Sequence, residues 1–91
     1  MADEEIRNRI RDIISKVTNI PPDRIGDAAD LRQDLEIDSL SLLEIGIDVD
    51  YEFRLQVEDL DQRLPKLRTL DDAVRMVREI LEERTPAAQG E

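Results

Sequence analysis

The sequence predicts an all-α fold: a small, irregular four-helix bundle of three main helices and one short helix, with a long first connection. Three observations predict it. Apolar residues recur at spacings of three and four in three separate stretches. Helix-start residues stand at Asp38 and Thr69, and Pro21, Pro22 and Pro65 interrupt the chain between the stretches. At 91 residues the chain is long enough for a single modest core and too short for a second.

The first helix is expected over residues 3 to 18. Ile6, Ile10, Ile13, Ile14 and Val17 share one face there, with charges on the other. Pro21 and Pro22 forbid its continuation. A long connection follows from Asn19 to Asp38, with turn residues Gly26, Asp27 and Asp30 and apolar anchors Ile25, Leu31, Leu35 and Ile37. Those anchors predict an ordered loop.

The second helix is expected to start at Asp38, whose carboxylate can accept from first-turn N–H groups, and to run to about Arg54. Residues 55 to 64 read as a strand-like or turn segment around Leu55 and Val57, then one or two helical turns from Asp59, closed by Pro65. Thr69 with Asp72 resembles a capping box for the last helix, whose stripe is Leu70, Ala73, Val74, Val77, Ile80 and Leu81. Residues 1 to 84 are expected to form the domain and residues 85 to 91, "TPAAQGE" at its end, a flexible C-terminal tail. Tyr51 and Phe53 are the only aromatic residues, so modest stability is expected.

Composition excludes several functions. The chain carries 23 acids against 13 bases and a formal charge of -10, which opposes binding to nucleic acid or an anionic membrane. Residues 27 to 61 hold twelve of those acids and only two of the bases, Arg32 and Arg54, so this segment alone nets -10. Clustered acid reads either as a solvated face or as the complement of a basic protein. With neither cysteine nor histidine, the chain has no thiol or imidazole for catalysis or metal binding. An EF-hand-like loop over Asp34, Glu36 and Asp38 also fails, because Ser39 stands at its sixth position and Ile45 at its twelfth. No metal site, no catalytic residue and no enzyme activity are expected. No signal sequence or membrane span is expected either, and the reading is a cytoplasmic monomer.

The second helix carries two apolar faces. At about 100° per residue, Leu42, Ile45, Gly46, Val49 and Phe53 fall within roughly 60° of one direction, the core face. Leu40, Leu43, Ile47 and Tyr51 form a second stripe, with Glu44 and Asp48 on one edge and Asp50 on the other. Either the long loop covers this stripe, or it is an exposed docking strip rimmed by carboxylates. Gly46 either lets a neighbouring helix approach closely or leaves room for a guest such as an aliphatic chain. Ser39 follows the cap. It is a solvated helix-start serine or a modification site whose phosphate ester would face the positive end of the helix.

The order of motifs carries a resemblance. "DSL" at Asp38, Ser39 and Leu40, "ADLRQDLEIDSL" around it, Glu44, "YEF" at 51 to 53, "LQVEDLD" at 55 to 61 and "TLDDAV" at 69 to 74 together resemble the acyl carrier protein family over about residues 4 to 83. Glu36 stands where that family usually has glycine, Leu31 where Phe is frequent, and Ser41 and Tyr51 where acids are frequent; residues 54 to 68 are slightly long.

The resemblance implies a carrier domain with 4'-phosphopantetheine attached covalently to Ser39 from coenzyme A. It also implies that Asp38 helps position a divalent metal when a phosphopantetheinyl transferase acts. The expected cargo is an acyl thioester, and the expected partners are basic acyl-transferring or synthase enzymes of fatty acid, polyketide or related lipid synthesis. They would dock on Leu40, Leu43, Glu44, Ile47 and Asp48. A peptidyl or aminoacyl carrier shares the serine, and an acidic helical adaptor without a cofactor would share the docking strip.

Overall fold

The computed structural model describes residues 2–89, all helix, turn and loop. Helix α1 spans Asp3–Thr18, α2 Ser39–Phe53, α3 Leu60–Arg63 and α4 Leu70–Gln89, with single 3-10 turns at Pro22–Arg24 and Leu64–Lys66. The described chain is thus the small helical bundle expected, and α1 packs against both α2 and α4.

Each helix buries the stripe its spacing marks. Ile6, Ile10 and Ile14 of α1 are fully buried, as are Leu70 and Val77 of α4. Leu42, Ile45, Val49 and Phe53 of α2 meet them in one apolar core. Among the described residues no polar or charged side chain is buried. Helix α1 stops at Asn19, which turns left-handed (φ 65°) and donates its N–H to the Ser15 carbonyl. At the start of α4 the capping box closes both ways. Asp72 N donates to Thr69 Oγ1 at 3.1 Å, and Thr69 N donates to Asp72 Oδ2 at 3.2 Å. The backbone of α4 stays helical past residue 84 through Gln89, although residues 85 to 91 read as a tail; Gly90 and Glu91 lie outside the described residues.

The connection from 19 to 38 is ordered by its anchors. Ile25, Leu31 and Ile37 are buried, and Leu35 packs against them. Polar clips hold the rest of the loop. Asp30 Oδ1 accepts from the N–H groups of Arg32 and Gln33 at 2.9 and 2.8 Å. Leu31 N donates to the Arg68 carbonyl at 2.7 Å, and Asp71 N donates to the Asp27 carbonyl at 3.0 Å, tying the loop to the start of α4. Arg7 and Arg11 of α1 both reach Asp27, and Arg7 also pairs with Asp71.

One local reading is resolved and one corrected. Residues 55 to 58 take the turn alternative and form no strand. Gln56 takes φ 57° and the chain turns around Asp50, whose carboxylate oxygens accept from Gln56 N and Val57 N at 2.9 Å each. Pro65 does not end the helical turns from Asp59; it lies inside the 3-10 turn that continues them, where its missing N–H costs nothing.

Glu36 also has φ 57°, a left-handed conformation that strains any residue with a Cβ and explains why glycine suits this position. Glu36→Gly is expected to raise stability by up to about 1 kcal/mol, read as a higher urea midpoint at unchanged slope. A lower midpoint would mean that the Glu36 side chain contributes more than its backbone costs.

Candidate functional site

The start of α2 is built by one capping residue. Asp38 is extended (φ -79°, ψ 172°), and its Oδ1 accepts from Ser41 N at 2.7 Å, while its carbonyl accepts from Leu42 N at 2.9 Å. The Ser41 amide first, then its hydroxyl, hold the Asp38 carboxyl below the usual aspartate range against an opposing desolvation, with the Leu40 amide adding a smaller share. Asp38 is therefore charged throughout the neutral range and fixed in direction.

Ser39 is the first residue of α2 and is exposed. Its hydroxyl has no hydrogen-bond partner among the described residues, so nothing in the fold consumes it. Ser41, two residues on, is half-buried, and its hydroxyl as well as its amide bonds the Asp38 carboxylate. The two serines of "DSLS" thus differ in availability. A phosphate ester on Ser39 would stand in solvent at the positive end of a helix of 15 residues, so this end of α2 fits a phosphopantetheine arm.

The second stripe of α2 is bare. Leu40 is 76% exposed, Ile47 53% and Leu43 37%. The loop does not cover them, because Leu31 and Ile37 turn into the core on the other side of the helix. Glu44 and Asp48 are exposed beside the stripe, and neither forms an ion pair among the described residues.

Most other acids of the 27 to 61 segment are already engaged. Asp27 pairs with Arg11 at 2.6 Å, Glu52 with Arg9 at 3.0 Å and Asp59 with Arg63 at 3.0 Å, while Asp30 meets Arg68 at 3.4 Å. Asp50 is not an edge of the stripe; its carboxylate clamps the 55 to 58 turn. An acid in the last turn of a helix opposes the macrodipole, and that unfavourable placement is the sequence signal for such a clamp.

Gly46 resolves toward close packing. A Cβ there would lie 2.8 Å from Leu64 Cδ2 and 3.2 Å from Leu64 Cδ1. The remaining cavity between α2, Leu64, Leu67 and Met76 is entirely apolar and holds about 20 Å³, the room of a single water. At that volume the cavity holds no acyl chain without movement of the side chains around it.

Known proteins define first the class. The family described as "Phosphopantetheine attachment site" matches residues 8–77, from α1 into α4. Among curated proteins, the meromycolate extension acyl carrier protein of Mycobacterium tuberculosis (strain ATCC 25618 / H37Rv) is 38% identical over 87 residues, covering 96% of this chain and 74% of that protein. The protein of the same description from Mycolicibacterium smegmatis (strain ATCC 700084 / mc(2)155) is 35% identical over 85 residues, 93% of this chain and 84% of the relative. The acyl carrier protein of Lactobacillus johnsonii (strain CNCM I-12250 / La1 / NCC 533) is 33% identical over 78 residues, 86% and 95% of the two chains. The chain belongs to the acyl carrier protein family, whose carrier group is phosphopantetheine. No helix among the described residues is long and apolar enough to cross a membrane.

Proposed function

We propose that this domain, residues 1 to 84, carries acyl intermediates of fatty acid, polyketide or related lipid synthesis on a phosphopantetheine arm at Ser39, and is itself no enzyme. The observation that carries the site is the exposed, uncommitted Ser39 hydroxyl beside the fixed Asp38 carboxylate. The Ser39 oxygen attacks the pantetheine-bearing phosphorus of coenzyme A, forming a phosphodiester as the pyrophosphate bond breaks, 3',5'-ADP leaves and the serine proton is lost to solvent; Asp38 helps position the transferase's divalent metal. When bound, the arm supplies the thiol on which acyl groups ride as thioesters. The chain needs no cysteine of its own.

Partner enzymes meet Leu40, Leu43 and Ile47 with apolar groups, and Glu44 and Asp48 with Lys or Arg. The domain works as a monomer in the cytoplasm, with the exposed face of α2 open to partners. Incubation with coenzyme A, magnesium and a phosphopantetheinyl transferase tests the reading: intact mass should rise by one phosphopantetheine. A wild-type protein left unmodified under conditions that load a control carrier would overturn it.

The unpaired carboxylates give a second expected result. Glu44→Lys and Asp48→Lys should each slow association with the transferase by about three- to tenfold at low salt, with the fold intact and the difference shrinking as salt rises. Salt-insensitive association would show that these side chains do not steer the encounter.

A further inference from the structure

Tyr51 is the most exposed of the large apolar side chains, at 85%, and its hydroxyl has no hydrogen-bond partner among the described residues. The fold therefore gives it no structural task. At about 100° per residue it points within roughly 20° of Leu40 and 40° of Ile47, so it continues the bare stripe to the far end of α2. Ile47 and Asp48, four and three positions before it, are its neighbours on the helix surface. The unpaired Glu44 and Asp48 lie on that side. Arg54, the one cation in residues 40 to 54, follows α2 in a left-handed cap and borders the same surface hollow as Tyr51.

An exposed ring one turn from a free carboxylate, Asp48, with Glu44 a further turn along, attracts a cation twice, through the ring face and through the charges. Twelve residues of helix place Tyr51 about 18 Å along the axis from Ser39. A partner of ordinary interface size, about 800 Å² on its side, spans that distance while its active site is at Ser39.

We propose that Tyr51 is the distal anchor of the docking surface, its ring face receiving a guanidinium or ammonium group of the phosphopantetheinyl transferase. This rests on Ser39 being the site of modification. The contact is distinct from the acidic rim, because it supplies ring area as well as attraction for a cation.

The test uses the phosphopantetheinyl transferase of the source organism with coenzyme A and magnesium, following intact mass against time for the wild type, Tyr51→Ala and Tyr51→Phe. Tyr51→Ala should raise KM for the carrier about five- to tenfold with kcat and melting temperature unchanged. Tyr51→Phe should stay within about twofold of the wild type, since it keeps the ring. The proposal is overturned if Tyr51→Ala leaves KM unaltered, if Tyr51→Phe is as poor as Tyr51→Ala, or if the loss falls in kcat. A wild type that does not load at Ser39 would remove the carrier reading and this one together. Equal loading of wild type and Tyr51→Ala would remove only this one.

Discussion

Ser39→Ala is expected to abolish loading: incubated with coenzyme A, magnesium and a phosphopantetheinyl transferase, the variant should gain no mass while the wild type should gain one phosphopantetheine. The structure makes this a clean experiment. Ser39 is exposed and its hydroxyl holds nothing in place, so the substitution removes the acceptor and leaves the fold alone. The cap survives, because Asp38 accepts from Ser41 N and the Ser39 side chain is not involved. Stability should stay within about 0.5 kcal/mol of the wild type. Ser41→Ala is the matched control. Ser41 is half-buried; the substitution keeps its backbone N–H bond to Asp38 and loses only the hydroxyl's, so loading should stay intact at a small cost to the helix start. Modification that persists in Ser39→Ala, at Ser15 or Ser41, would move the site. Loss of loading in both variants would point instead to the shape of the helix start.

The second large effect divides the two faces of α2. Phe53→Ala should destabilise by about 3 to 5 kcal/mol, and Ile10→Ala, in the same apolar core, by about 2 to 5 kcal/mol. Phe53 is 7% exposed and Ile10 is fully buried, so each truncation leaves a cavity as well as losing transfer free energy. A domain of this size has about 5 to 15 kcal/mol in all, so either change takes a large share of it. Leu40→Ala and Ile47→Ala should cost under about 1 kcal/mol each, because their side chains already face water. Urea unfolding of the four variants checks the contrast. Equal, large losses at all four would mean that the stripe is covered in solution and could not serve as a docking strip.

Much of the site was legible in the chain because its determinants are local. An aspartate before an apolar-periodic run is a cap wherever it occurs, and the Asp38 carboxylate does accept from the first turn. Thr69 and Asp72 satisfy each other's N–H groups over three residues for the same reason. Residues 55 to 58 were less legible. Leu55 and Val57 alternate as in a strand, but Asp50 captures the amides of Gln56 and Val57, and no neighbouring strand exists to pair with them among the described residues. The strain at Glu36 was signalled only by the glycine usual at that place, since nothing in a glutamate announces a positive φ.

By itself the sequence determined the helices, their caps, the two apolar faces of α2 and the serine placed between cap and stripe. These follow from periodicity and hydrogen bonding within a few residues. Only the tertiary structure decided which face stays in water, which acids are free and what Gly46 admits. The loop could have covered Leu40 and Ile47 but buries Leu31 and Ile37 in the core instead. Arg9 and Arg11 of α1 reach across the bundle to Glu52 and Asp27, leaving Glu44 and Asp48 without an ion pair among the described residues. Leu64, eighteen positions along the chain, fills the space above Gly46. Each of these outcomes is a contact between residues distant in sequence. Such contacts exist only once packing has fixed where the segments lie, and local propensity holds no information about that choice.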